Sequence, residues 1–249
     1  MIIDGKKIAN EILDGLHGTY TLGIVMGSDT TSNSFVRMKE RAAARVGVVV
    51  KRFSAEEFDQ ALVCDGVIVQ LPIADAEALL AKIPPQKDVD ALGKSPLVHA
   101  PVAEAVKEVL TRAGVAVKNK KAVVVGTGRL VGMPCAELLR EMGADVSVVT
   151  LLQGSLGELK NAEIVVLGAG SPGLIKPEML KPGVVLIDAG TSEQSGKVVG
   201  DADPACAEVA SVFTPVPGGI GPIAVAMIFK NLFVLAAEKK RGKGTLMPL

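Results

Sequence analysis

The sequence predicts an α/β protein: an N-terminal parallel-sheet α/β domain followed by a Rossmann-like domain. Three observations carry the α/β class. Helical and strand periodicities alternate along nearly the whole chain. Of its 249 residues, 49% are hydrophobic but only 3% are aromatic, so the core is aliphatic. Val, Ile, Leu and Ala suit strands buried on both faces, as in parallel sheets. In the second half, the glycine-rich "VVVGTGRLVG" follows a β-branched run and opens a helix.

The elements follow in order. "GKKIANEILDGL" reads as an amphipathic helix, and "TLGIVMG" as a short apolar strand stopped by Gly27. Residues 31–47, "TSNSFVRMKERAAARVG", read as a helix with a polar, cappable start. The strand "VGVVVKRF", helix "AEEFDQAL", strand "DGVIVQL" and helix "DAEALLAKI" continue a βαβ series. "PPQKDVDALGKSPLVHAP" breaks the pattern with prolines and polar residues, which places a hinge at residues 95–101. "VAEAVKEVLTRAG" is a helix with a glycine stop. "KAVVVGTG", "ADVSVVT", "AEIVVLGAG" and "GVVLIDAG" are four short strands, and "CAELLREMG" is a helix between the first two. That is the pattern of a doubly wound nucleotide-binding domain. "PIAVAMIFKNLFVLAAEKKR" is a closing helix with a basic end. The expected domains are 1–97 and 98–220, followed by the helix in 221–249.

Composition limits the function. Lys+Arg and Asp+Glu are both 27, so the formal net charge is zero. That argues against a nucleic-acid or anionic-membrane surface. Cys64, Cys135 and Cys206 are scattered in apolar contexts, as expected of buried free thiols in a reducing compartment. His17 and His99 make no metal-ligand pattern with them, so no metal is expected. The N-terminus carries acids and helical periodicity rather than a signal peptide. The uncharged run 209–229 is interrupted by prolines and glycines, which disfavours a continuous membrane helix there. The expected location is the cytoplasm.

Several stretches carry chemistry. Gly126, Gly128 and Gly132 have the spacing GxGxxxG at a strand-to-helix turn. Glycines let a backbone approach a pyrophosphate, and the helix N-terminus offers it free N–H groups. The alternative is an ordinary glycine-rich βα turn. No acid follows the second strand of this half, where "SVVTLLQGS" offers only Thr150 and Gln153 for a ribose. Arg129 faces either a 2′-phosphate or solvent. Gln70 ends a buried strand, either as a loop-capping amide or as a ligand group. Asp88 and Asp90 are either surface turn acids or carboxylates for a substrate N–H pair. "TPVPGGIGP" is a rigid, close-approach loop that suits ligand contact. On the helix of residues 31–47, Phe35 and Lys39 are four apart and share a face.

Taken in order, "SNSFVRMK", "DGVIVQLPI", "KDVD", "VGMP", "LKPGVVLIDAG", "GDAD" and "TPVPGGIGPIAVAMIFKN" resemble the bifunctional methylenetetrahydrofolate dehydrogenase/cyclohydrolase family (FolD type). The resemblance spans the chain. It implies oxidation of 5,10-methylenetetrahydrofolate to the methenyl form with NAD or NADP, then hydrolysis to 10-formyltetrahydrofolate. It also implies a cleft between the two domains, a last helix (221–249) that returns to complete the first domain, and a homodimer built through the Rossmann domains. By position, Lys39 matches the catalytic lysine, Gln70 the glutamine that hydrogen-bonds it, and Asp90 the acid that grips the pterin. Phe35, Leu71, Pro72, Gly218, Gly219 and Pro222 fall at substrate-contacting positions. Gly126, Thr127, Gly128, Arg129, Gly132, Thr150, Gly168 and Thr191 fall at cofactor-contacting ones.

The chain departs from that pattern at several points. Phe35 stands where the family has tyrosine, which keeps the ring and loses the hydroxyl. Thr127-Gly128 replaces an Arg-Ser pair, which favours NAD over NADP. Ala91 replaces a glycine after Asp90, and the stretches 91–101 and around "SAEEFDQALVCDG" are short. A hydrolase weakened at Phe35 is therefore expected. The competing expectations are a dehydrogenase that has lost the hydrolase, or a folate- or dinucleotide-binding protein without turnover.

Overall fold

Helix and strand alternate as the hydrophobic patterning requires. In the computed structural model the described residues are 1–27, 30–150, 154–194 and 196–243, without the side chains of 30–35 and 239–243. Seven α-helices are seen among them: α1 (Gly5–Asp14), α2 (Thr30–Arg45), α3 (Phe58–Ala61), α4 (Ala76–Leu80), α5 (Pro101–Arg112), α6 (Gly132–Glu141) and α7 (Ile220–Lys243). The strands are β1 (Tyr20–Met26), β2 (Val48–Phe53), β3 (Gly66–Gln70), β4 (Lys121–Val125), β5 (Asp145–Val149), β6 (Ile164–Leu167), β7 (Val185–Asp188), β8 (Ser192–Gln194), β9 (Lys197–Val199) and β10 (Val212–Phe213).

The chain divides into two compact units: residues 9–101 with 225–249, and residues 1–8 with 102–224. The first holds a three-stranded parallel sheet in the order β2-β1-β3. Leu22 and Ile24 of β1 pack with Val36, Phe229, Leu232 and Leu235, so the last helix belongs to this core. Val25, Val67 and Val69 pack with Phe58, Leu79 and Leu80 in a second cluster. The stretch Ile220–Glu238 is long and apolar enough to cross a membrane. Much of its apolar surface is instead used by the core, where Phe229 and Leu232 are fully buried.

The second unit carries a five-stranded sheet in the order β10-β7-β6-β4-β5, all parallel. Strands β4, β5, β6 and β7 match the four read from the sequence. Among the described residues, only the β4–β5 connection contains an α-helix; 3₁₀ turns at Leu156–Asn161, Pro177–Met179 and Pro204–Glu208 serve the later connections. The sequence reading missed the β8–β9 hairpin and β10. Both are too short to show a period, and β10 depends on distant partners: it pairs with β7, and the Ile3 N–H donates to Phe213 O at 2.9 Å. That N-terminal pairing explains why residues 1–8 group with this unit, whereas the sequence grouping put them in the first. Cys64, Cys135 and Cys206 are buried free thiols, and burial pushes Cys135 up to about 12.

Candidate active site

In an open parallel sheet, ligands bind beyond the strand C-termini where the strand order reverses. Each unit has such a point: β1/β3 in the first and β4/β6 in the second.

At the first, Met26 and Gln70 lie side by side at the ends of β1 and β3. Helix α2 follows β1 and brings Lys39 to the same edge. Lys39 is only 8% exposed, and its Nζ donates to Gln70 Oε1 at 2.7 Å. Gln70 Nε2 donates in turn to the Leu71 carbonyl at 3.2 Å, so both readings of this amide hold: it ties the loop and it holds the lysine. Burial lowers the Lys39 pKa by disfavouring the ammonium, and the nearby Asp90 charge opposes that shift. Desolvation raises the Asp90 pKa, with Lys39 pulling it back and Asp88 pushing it further. Leu71 is half-buried and Pro72, joined to it by a cis peptide, is exposed. Phe35 lies on α2, with its side chain outside the described residues.

The loop carrying Asp90 is braced from two sides. Asp88, 1% exposed, accepts from the N–H of Gly93 at 2.7 Å and of Leu92 at 3.2 Å. Desolvation still leaves its pKa raised. Asn231 of α7 donates through Nδ2 to the carbonyls of Val89 at 2.9 Å and His99 at 3.0 Å. Asp88 is thus a buried brace rather than a surface turn acid. Ala91 sits at φ 55, in the left-handed region that costs a side-chain-bearing residue about 1 kcal/mol or more.

At the second point the glycines separate by role. A Cβ on Gly132 would lie 2.1 Å from the Gly126 carbonyl oxygen, and one on Gly126 would lie 2.4 Å from that of Gly168. These glycines let β4, the start of α6 and the end of β6 pack together. A Cβ on Gly128 would meet nothing within 4 Å, so its open side is free for a ligand. Gly128, Arg129, Leu130, Val131, Gly168, Gly170, Ala189, Gly190 and Thr191 line a pocket of about 260 Å³. Thr127 is exposed beside it; Thr150, at the end of β5, is not in this lining, and Gln153 lies outside the described residues. The loop "TPVPGGIGP" belongs to this unit. The Gly5 N–H donates to the Gly218 carbonyl at 2.9 Å, and Gly219 is packed against Pro215 and Thr214. Pro222 falls in the first turn of α7.

The profile described as "Tetrahydrofolate dehydrogenase/cyclohydrolase, NAD(P)-binding domain" matches residues 91–241. The "Bifunctional protein FolD" of Halothermothrix orenii is 38% identical, with 97% of this chain and 99% of the relative covered. The chain belongs to the tetrahydrofolate dehydrogenase/cyclohydrolase family. The protein of the same name from Staphylococcus aureus strain Newman is 32% identical, with 96% and 97% covered. Among solved structures, the Trypanosoma brucei N5,N10-methylenetetrahydrofolate dehydrogenase-cyclohydrolase, complexed with NADP and an inhibitor, aligns with a TM-score of 0.86. Its identity is 30%, over 97% of this chain and 98% of that one.

For a member of this enzyme family, the placement of the expected residues is informative. Lys39, Gln70 and Asp90 come together, as do Gly128, Arg129, Gly168 and Thr191. Gly126 and Gly132 support the pocket from behind. Four buried polar residues received no role from the sequence: Asp188, Asp201, Thr214 and Asn231. Asn231 had a signal, a lone amide in an apolar helix. Asp188 and Asp201 stood within "LIDAG" and "GDAD" with nothing to distinguish them from turn acids.

Proposed function

We propose that this chain oxidises 5,10-methylenetetrahydrofolate to the 5,10-methenyl form with NAD(P) and hydrolyses that product to 10-formyltetrahydrofolate. The observation that carries the reading is the buried Lys39 amine, held by Gln70 at 2.7 Å and biased towards its neutral form. The methenyl carbon is cationic and needs water, and that water must lose a proton as it attacks. A neutral amine takes it; the resulting ammonium returns it to the pterin N5 as the carbon–N5 bond breaks. The second water proton goes to solvent. Gln70 keeps the amine aimed while it cycles between the two forms. The Asp90 carboxylate accepts from pterin N–H donors, and Phe35, Leu71 and Pro72 give the substrate apolar contact.

When bound, NAD(P) supplies the hydride acceptor. The pocket at β4/β6 fits a dinucleotide: Gly128 has an open side in the glycine turn that leads into α6, so a pyrophosphate can approach the backbone there. The chain's part in hydride transfer is alignment. Thr127, Gly126, Gly132, Gly168 and Thr191 shape this side, and Gly218, Gly219 and Pro222 supply a loop that a ligand can approach closely. NAD is favoured over NADP. The pocket's one cationic lining residue, Arg129, shares the lining with the ends of β6 and β7 rather than with Thr150 of β5. The cytoplasmic location and a homodimer formed through the second unit complete the reading, as does the assignment of folate to the first unit and dinucleotide to the second.

One time course tests it: 5,10-methylenetetrahydrofolate with NAD or NADP, following reduced nicotinamide and methenyl absorbance together. Reduced cofactor rising while methenyl stays low, relative to uncatalysed hydrolysis, is the expected result. If neither signal rises with either cofactor, the reading is overturned. Phe35 favours one second reading, a dehydrogenase without hydrolase. In that case both signals rise together, and Phe35→Tyr restores hydrolysis.

A further inference from the structure

The wall of the dinucleotide pocket opposite α6 is made by two loops, 168–171 after β6 and 189–191 after β7. Behind them stands Asp201, which is fully buried. Its Oδ2 accepts from the N–H of Ala169 at 2.7 Å and of Gly170 at 3.1 Å, and its Oδ1 from the N–H of Ser171 at 2.7 Å. Gly170, at φ 66, is left-handed. Three successive N–H groups converging this way form an anion-binding concavity. Here the anion is the protein's own carboxylate.

The second loop is fitted to the same group. A Cβ on Gly190 would lie 2.3 Å from the Asp201 carboxyl carbon, so the backbone of this loop packs directly on the carboxylate. Asp188 continues the brace. Its Oδ1 accepts from the Gly190 N–H at 2.9 Å and its Oδ2 from the Ala202 N–H at 2.8 Å. Thr214 Oγ1 accepts from the Asp188 N–H at 2.7 Å. Asp201 thus hydrogen-bonds one lining loop and packs against the other, from a segment that does not itself line the pocket.

We propose that Asp201 is a positioning residue for the dinucleotide. By occupying the 169–171 concavity it fixes the pocket wall and keeps those N–H groups from serving as a rival phosphate site. The pyrophosphate is thereby directed to the turn before α6, where Gly128 has an open side. The proposal rests on the reading of this pocket as the dinucleotide site.

The test is Asp201→Asn, which keeps the shape but turns one carboxylate oxygen into an N–H₂ facing a backbone N–H. Direct binding of NADH and NADPH is measured by calorimetry, alongside steady-state constants for both substrates. The expected result is a dinucleotide Kd and KM raised about ten- to a hundred-fold, from the loss of a charge-assisted hydrogen bond. The KM for the folate and kcat at saturating dinucleotide stay within about three-fold. Unchanged dinucleotide affinity, or a fall in kcat with both KM values unchanged, overturns the proposal. If the wild-type chain binds neither dinucleotide, the pocket reading itself has failed. Should Asp201→Asn not fold, hydrogen exchange on the wild-type chain decides: the amides of 169–171 are expected to be protected although Gly170 is exposed. Rapid exchange there, as in an untethered loop, overturns the proposal.

Discussion

The two units place their candidate site groups at equivalent points of the same 2-1-3 strand order, and they build them from different materials. At the β1/β3 point the polar atoms are side chains: the Lys39 amine, the Gln70 amide and the Asp90 carboxylate. At the β4/β6 point they are largely backbone, with Gly126, Gly132 and Gly168 bringing peptide groups close together and Gly128 open on one side. The contrast matches the chemistry each reading assigns. Moving a proton needs a titratable group with a shifted pKa. Holding a pyrophosphate needs N–H groups and a helix N-terminus. Buried polar side chains occur at both points but do different work. In the first unit the proposed function makes Lys39 the reactive group, and Asp88 and Asn231 brace the loop that carries Asp90. In the second, Asp188, Asp201 and Thr214 are all braces.

Lys39→Met probes the contrast most strongly. Methenyl hydrolysis is expected to fall about a hundred-fold or more. NADH binding to the other unit is expected to stay within about two-fold, since no cofactor contact is assigned to this residue. Stopped-flow hydrolysis and calorimetry on one preparation check both. Equal hydrolysis in the variant and the wild type would remove Lys39 from the mechanism.

The glycines give the next effect. Gly132→Ala puts a methyl 2.1 Å from a carbonyl oxygen and is expected to cost about 1–3 kcal/mol of stability. Gly128→Ala has open space around it and is expected to leave stability within about 0.5 kcal/mol of wild type. Its added methyl faces the ligand, so NAD(P)H affinity should fall by about ten-fold. Denaturant melts and calorimetry separate the two. Loss of stability in Gly128→Ala with affinity intact would reverse the assigned roles.

The pH dependence is expected to differ between the sites. Hydrolysis at Lys39 should rise with pH as the ammonium deprotonates, with a midpoint below the ordinary 10.5 because burial lowers its pKa. The stability sign follows from the same shift. The unfolded chain binds more protons between the lowered pKa and 10.5, so stability rises with pH across that window, and Lys39→Met removes this slope. Asp188 acts oppositely. Its pKa is pushed up to about 6 from 3.8, chiefly by burial, so the folded state binds more protons in that range. Its contribution is present at low pH and is lost as pH rises through about 6; Asp188→Asn flattens this part of a stability–pH profile.

The smallest effect is Ala91→Gly. Relief of the left-handed backbone at φ 55, offset by glycine's greater unfolded-state entropy, is expected to give about 0.5–1 kcal/mol in a thermal melt. A loss of stability instead would mean that the Ala91 side chain contributes packing that outweighs its backbone strain.

The sequence by itself determined the α/β class, strands β4 to β7 of the second sheet and the turn at Gly126–Gly132, and its resemblance to the family grouped Lys39, Gln70 and Asp90 as candidates. Those features are local. They rest on periodicity, glycine spacing and motif order, which a chain displays without folding. The structure alone decided the short strand β10, paired with β7 and with residue 2, and the grouping of residues 1–8 with the second unit. It also decided the burial of Asp88 and Asp201 and the different roles of Gly128 and Gly132. Each of these depends on which distant backbone or side chain comes within a few ångströms. An aspartate reads the same in sequence whether it faces water or three buried N–H groups, and only the fold supplies the partners that make the difference.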